Sequence, residues 1–233
     1  MKTTFFKRLL LCVGMVGILS SCSLDDDSNT VTYPEPEVAF GIIANASPAS
    51  GDLFFFADAN KINDTGLPYT NAAGYYNFTL GNRVLSVKNS AGTTLATKNV
   101  TLERGKAYSA FAVNTFNNIE IAVYRDSISS ATAGKAYVRF INLSPDAAPI
   151  TVAGTTQTFA TGLAFKQATQ FMEVAGGNYD LTYKETATQD TLVRDTAVEL
   201  RAGKIYTIYT KGFTTPPTGS NDTFSTKKIT HNN

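Results

Sequence analysis

The chain has 233 residues, with 20 Lys and Arg against 19 Asp and Glu, for a formal net charge of +1. No basic tract or tail marks it for nucleic acid, and 43% hydrophobic residues with 15 Phe and 11 Tyr are the composition of a folded protein rather than a disordered one. Two cysteines and a single histidine leave little material for thiol or imidazole chemistry, so neither a cofactor nor a metal site is expected.

Lys2, Lys7 and Arg8 precede an eleven-residue apolar run, Leu9 to Leu19. A membrane-crossing helix needs about 20 apolar residues, so the run is too short and fits a secretory signal peptide. It ends in Leu19-Ser20-Ser21-Cys22, which resembles the bacterial lipoprotein box. The resemblance implies cleavage before Cys22, alkylation of its thiol by a diacylglycerol and acylation of the new amino terminus. Residues 1–21 would then be removed with Cys12, leaving Cys22 as a thioether and 17 basic groups against 19 acidic ones, a net of −2. Two or three acyl chains together would anchor the protein firmly, because each buried methylene contributes about 0.8 kcal/mol.

Residues 22–36 read as the lipidated cysteine and a solvated acidic tether, rich in Asp and interrupted by Pro34 and Pro36. Asp25, Asp26 and Asp27 resemble the acidic surface-export signal of Bacteroides-type lipoproteins; the alternative is a merely solvated spacer. The expected location is the outer membrane, lipid-anchored and exposed at the cell surface, with the periplasmic face as the alternative.

Beyond the tether the chain repeats itself. "NASP" at 45–48 matches "NLSP" at 142–145, "TGL" at 65–67 matches 161–163, "GNRVLSVK" at 81–88 matches "GNYDLTYK" at 177–184, and "LERGKAYS" at 102–109 matches "LRAGKIYT" at 200–207. The offset stays nearly constant, so two homologous domains are expected, 37–126 and 136–231, joined by a linker at 127–135. Within the first, β-branched and aromatic runs separated by Gly, Asn, Pro and Ser clusters predict seven strands, at 38–43, 52–57, 75–79, 83–88, 94–102, 107–113 and 119–125. No stretch after the tether holds a 3.6-residue apolar period. The expected fold is therefore all-β, two tandem immunoglobulin-like β-sandwiches. "L-x-x-G-K-x-Y" precedes the sixth strand in both repeats and resembles the tyrosine corner of such sandwiches, which makes Tyr108 and Tyr206 structural candidates.

"AYVRFINLSPDAAPITV" and "LRAGKIYTIYTKG" resemble the opening and closing strands of the domain-of-unknown-function family 4397, found in bacterial secreted and surface proteins and often in tandem. The first repeat departs from the pattern at "SPASGDLFFF", where the acid of "SPDAAP" is missing. The resemblance implies a fold but no activity, and it assigns a role to no residue.

Chemistry is sparsely written. His231 is the only histidine, which argues against a Ser-His-Asp triad or a histidine-bound zinc. Asp146, Glu173, Asp180, Glu185, Asp190 and Asp195 could pair as in glycosidases, but aligned positions in the first repeat carry no acid where they can be compared. Aligning Leu53 with Ile150 and Phe55 with Val152 places those side chains inward, so Phe54 and Phe56 point outward. Two outward phenylalanines call for a partner: the neighbouring domain, the 58–74 loop, or an external ligand or protein. The loops 57–74 and 153–170 are expected to carry recognition, with Asn60, Asn63, Asp64, Tyr69 and Asn71 suited to sugars. "DSI" at 126–128 resembles an O-glycosylation signal at Ser127.

The function expected is non-catalytic: a lipid-anchored surface protein presenting two sandwiches for binding, adhesion or structure, with the membrane and a glycan or protein ligand as partners. The alternatives are a periplasm-facing assembly lipoprotein and, third, a carboxylate-dependent glycoside hydrolase.

Overall fold

The structure, a computed structural model, describes residues 37–126 and 132–231. Cys22, the Asp25–Asp27 run and Ser127 lie outside them. No helix of the described residues is long and apolar enough to cross a membrane.

Each repeat folds into two four-stranded sheets. In repeat 1, β1 (Ala39–Asn45), β4 (Ala72–Phe78), β7 (Ala107–Val113) and β8 (Glu120–Asp126) form one sheet in the order β4-β1-β7-β8. β2 (Phe54–Ala57), β3 (Asn60–Lys61), β5 (Gly81–Lys88) and β6 (Thr94–Leu102) form the other, β3-β2-β5-β6. Repeat 2 reproduces this order. β9 (Lys135–Asn142), β12 (Met172–Ala175), β15 (Ile205–Lys211) and β16 (Ser225–His231) align as β12-β9-β15-β16, while β10 (Ile150–Gly154), β11 (Thr158–Leu163), β13 (Gly177–Glu185) and β14 (Thr191–Leu200) align as β11-β10-β13-β14. β1 runs parallel to β7, and β9 to β15; the other pairings are antiparallel. The all-β tandem architecture expected from the repeat is the one observed.

Each repeat has eight strands rather than seven. The additional β3 and β11 lie in the stretches expected to be recognition loops. β3 is two exposed residues paired to β2, too short to show any alternation in sequence.

Strand alternation builds the cores. Leu53, Phe55, Leu85, Val87, Ala110 and Ile121 close the interior of repeat 1, and Val138, Phe140, Ile150, Val152, Leu181 and Ile208 that of repeat 2. The corner tyrosines sit where "L-x-x-G-K-x-Y" puts them. Gly105 and Gly203 take positive φ, +66° and +76°, which a side chain would resist. The turn carries each ring back so that the Tyr108 hydroxyl accepts from the Glu103 amide at 3.1 Å and the Tyr206 hydroxyl from the Arg201 amide at 3.0 Å.

β7 and β15 are buried at almost every position instead of every second one. Their second faces meet. Ala44, Ala46, Phe111, Val113, Ala122 and Tyr124 of repeat 1 pack against Ile141, Leu143, Phe165, Tyr209 and Ile229 of repeat 2 in one apolar cluster. Phe111 and Tyr209 meet edge to face, centroids 5.4 Å apart, a geometry that adds about 0.5–1.5 kcal/mol to the burial itself. The contributing positions are equivalent in the two repeats: Ala44 with Ile141, Phe111 with Tyr209, Tyr124 with Ile229. Use of one patch on both partners is the arrangement of an isologous contact.

Candidate functional site

A polar network runs through the seam between the repeats. The Arg139 guanidinium meets Asp126 at 2.7 Å, with 2% and 0% of the two side chains exposed. The Ser109 hydroxyl donates to Asp126 at 2.7 Å and accepts from Arg139 at 2.9 Å. Arg139 Nε donates to the Thr207 hydroxyl at 2.8 Å, and Thr207 lies 2.7 Å from His231 Nε2. His231 Nδ1 is 2.5 Å from the Tyr75 hydroxyl. The Phe171 ring covers the guanidinium at 4.6 Å.

Burial governs how these groups titrate. It pushes Asp126 up and Arg139 down, and each charge opposes the other's shift. His231 falls to about 3, first because it is buried and then because Arg139 is positive. The imidazole is therefore neutral near pH 7. A neutral ring has one N–H and one bare nitrogen, so one of the Thr207 and Tyr75 hydroxyls accepts from His231 and the other donates to it. A hydroxyl beside an imidazole is the geometry of a nucleophile and its base. Here Thr207 is 0% and His231 1% exposed, so no substrate reaches them and the ring does not take up a proton at neutral pH. The network is a structural latch.

Five of the six acids weighed as catalytic pairs hold loops and strands, while the sixth, Asp190, is exposed. Asp146 accepts from the Thr214 amide and hydroxyl, both at 2.9 Å, and from the Thr215 amide at 2.8 Å. Asp180 accepts from Ala197 N, Glu173 from Thr132, Glu185 from Thr188 and Asp195 from Thr226. Among the described residues no cluster of His, Cys, Asp and Glu could hold a metal ion.

An open site lies at one end of the seam, where loops of both repeats converge. Repeat 1 supplies Pro48 and Ala49 from the β1–β2 loop and Phe116 and Asn117 from the β7–β8 turn; repeat 2 supplies Phe213 and residues 217–222 from the β15–β16 loop. The cleft encloses roughly 690 Å³. Its walls are held from below. Gly212 turns with φ +73°, and a Cβ there would lie 2.2 Å from the Thr223 carbonyl oxygen, so only glycine closes the stem. Phe213 N donates to Asp222 O at 2.8 Å and Phe224 N to Phe213 O at 2.7 Å. Asp146 ties down Thr214 and Thr215 on one side, and the Asp222 carboxylate accepts from Ala49 N at 3.1 Å across the cleft. The acid missing from the first "SP" motif is thus met by one reaching over from repeat 2.

The other predicted residues scatter. Asn63 is buried: its side chain donates to Leu53 O and Thr65 O and accepts from Phe55 N. It is a loop brace, because three backbone groups claim its amide, and it is not a surface contact. Tyr69 is not a free loop aromatic either. Its ring packs against repeat 2 with Lys211 Nζ 5.3 Å from its centroid, and burial, with Asp222 nearby, pushes its hydroxyl pKa up. Asn60, Asp64 and Asn71 are exposed and lie outside the cleft. Phe54 and Phe56 are half-buried on the outer sheet of repeat 1, with Lys61 4.3 Å above one ring and Lys88 4.4 Å above the other. The seam lies on the opposite sheet, so the interdomain reading of these two residues is corrected. Phe116, Asn117 and 217–222 carried no motif; the long polar insert between β15 and β16 was the one available signal.

A model of the family described as "Domain of unknown function (DUF4397)" matches residues 42–153 and 145–228. No curated protein matches the chain. Among solved structures it is similar to the fimbrial anchor protein Mfa2 from Porphyromonas gingivalis, at 11% identity over 83% of this chain and 97% of that one, with a TM-score of 0.24. It is also similar to a protein from Bacteroides eggerthii named "putative cell adhesion protein", at 9% identity over 84% and 96%, with a TM-score of 0.23.

Proposed function

From the premise that the chain belongs to the DUF4397 family, whose description names no activity, we propose that it is a lipid-anchored, non-catalytic surface module that presents two fused β-sandwiches to a binding partner. The observation that carries this reading is the cleft built jointly by loops of both repeats on a body whose seam is sealed. A rigid scaffold with loops clustered at one end is the arrangement that binding proteins use, since ordering costs are met in folding rather than on association. Cys22 at the end of the apolar run supports the lipid anchor, and Asp25–Asp27 support export to the surface. Asp146, Glu173, Asp180, Glu185, Asp195 and His231 are engaged in holding the fold, which supports binding over hydrolysis.

Protease treatment of intact cells, followed by detection of the chain, tests the placement. Wild type is expected to be degraded, Asp25–Asp27→Ala to be protected inside the envelope, and Cys22→Ala to leave the membrane fraction. Protection of wild type would favour the periplasm-facing reading instead.

A further inference from the structure

Phe116 is 41% exposed, one of two large apolar side chains so exposed among the described residues. It stands on the cleft wall, where a partner would cover it. The groups around it are chemically of one kind. Asn117, Thr218, Ser220 and Asn221 are neutral donors and acceptors, and Pro48 and Pro217 are flat apolar surfaces. No lysine or arginine lines the cleft, and its one charge is the Asp222 carboxylate.

That lining discriminates between ligand classes. An anionic ligand would meet a carboxylate and no cation, and would lose its hydration without compensation. A wholly apolar ligand would strand the amides and hydroxyls without partners. A cationic ligand would have a single carboxylate, already accepting from Ala49 N. A neutral ring bearing several hydroxyls fits every part. Its C–H face, slightly positive, lies against the negative face of an aromatic ring, and its rim hydroxyls meet short polar side chains. The walls also need little reorganisation, because Asp146, Gly212 and Asp222 hold the loop bases. We infer that the cleft binds a sugar unit of a neutral glycan, with Phe116 as the stacking platform. The inference rests on the binding-module reading and names its ligand class.

Native electrophoresis of the full chain in detergent, through gels containing xylan, mannan, mixed-linkage glucan or starch, tests it, with polygalacturonate and chondroitin sulfate as charged counterparts. Wild type is expected to be retarded in at least one neutral gel and less in the charged ones. Phe116→Ala should weaken that retardation about tenfold or more, as removal of a central aromatic contact does, at an unchanged melting temperature, and Phe116→Tyr should retain it. Absence of retardation in every neutral gel, stronger retardation in the charged gels, or indifference to Phe116→Ala would overturn the inference. Retardation lost instead on Phe54→Ser with Phe56→Ser would overturn the cleft while leaving the binding module standing. Cleavage of the polysaccharide would overturn the non-catalytic reading while leaving the ligand class intact.

Discussion

The seam and the cleft are both made where the two repeats meet, yet their polar residues do opposite things. In the seam Thr207, His231, Asp126 and Arg139 are covered on every side, and each is engaged by another. In the cleft Asn117, Thr218 and Asn221 are of ordinary polarity but open to solvent beside an exposed ring. Residue type would rank the first set as the catalytic candidate. Burial reverses the order, since a sealed hydroxyl–imidazole pair meets no substrate and an open, neutral-lined cleft does.

The comparison breaks most sharply at Asp126. Asp126→Ala leaves Arg139 buried without its counter-charge and is expected to cost about 3–5 kcal/mol, read as a lower midpoint in urea unfolding. Asp126→Leu combined with Arg139→Met should recover most of that loss, because replacing both charges removes the uncompensated one. Neither change should alter the lining of the cleft.

Acid comes next. The unfolded chain binds a proton at His231 near pH 6.5, whereas the folded chain resists it down to about 3. Between these values the unfolded state holds more protons, so this contribution is complete above pH 6.5 and declines as pH falls, by about 1.4 kcal/mol per pH unit. Asp126, pushed up by burial, acts in the opposite sense. The quantity to measure is therefore the difference in pH slope between wild type and His231→Gln, with the variant expected to be flatter from pH 6 to 4.

Asp146→Ala should act locally. It frees Thr214 and Thr215, so proteolysis within 214–221 is expected to quicken while the global unfolding midpoint moves little. The smallest stability effect is expected at Phe116→Ala, within about 0.5 kcal/mol of wild type. A large loss of thermal stability there would mean that the ring packs rather than binds.

Much of the fold was legible because local chemistry imposes it. The collinear blocks correspond to strands and turns in identical order: "GNRVLSVK" is β5 and "GNYDLTYK" opens β13. Asn45 and Asn142, from the "NASP" and "NLSP" blocks, each accept from the amide two residues on, Ser47 and Ser144, a turn that asparagine makes from its own side chain. The site was not legible in the same way. Asn63 and Tyr69 have the composition of recognition residues, and only their neighbours show that one braces a loop and the other packs against repeat 2. Phe54 and Phe56 were read outward from strand period, and they do stand on the outer sheet, but the period could not say which sheet the other repeat would cover. Phe116 passed unnoticed because a single aromatic in a short turn has no periodicity.

What the sequence determines by itself is therefore the local and the repeated: strand periods, glycine turns, corner tyrosines, the tandem architecture and the family. Those features depend on residues near one another in the chain, and they recur with every copy. The tertiary structure alone decides that the second faces of β1, β7, β9 and β15 close on each other, that Arg139 finds Asp126, and that the β15–β16 loop reaches Ala49 to complete a cleft. Contacts of this kind join positions far apart in sequence, and their energies depend on what surrounds each group once the chain has folded, which no residue carries alone.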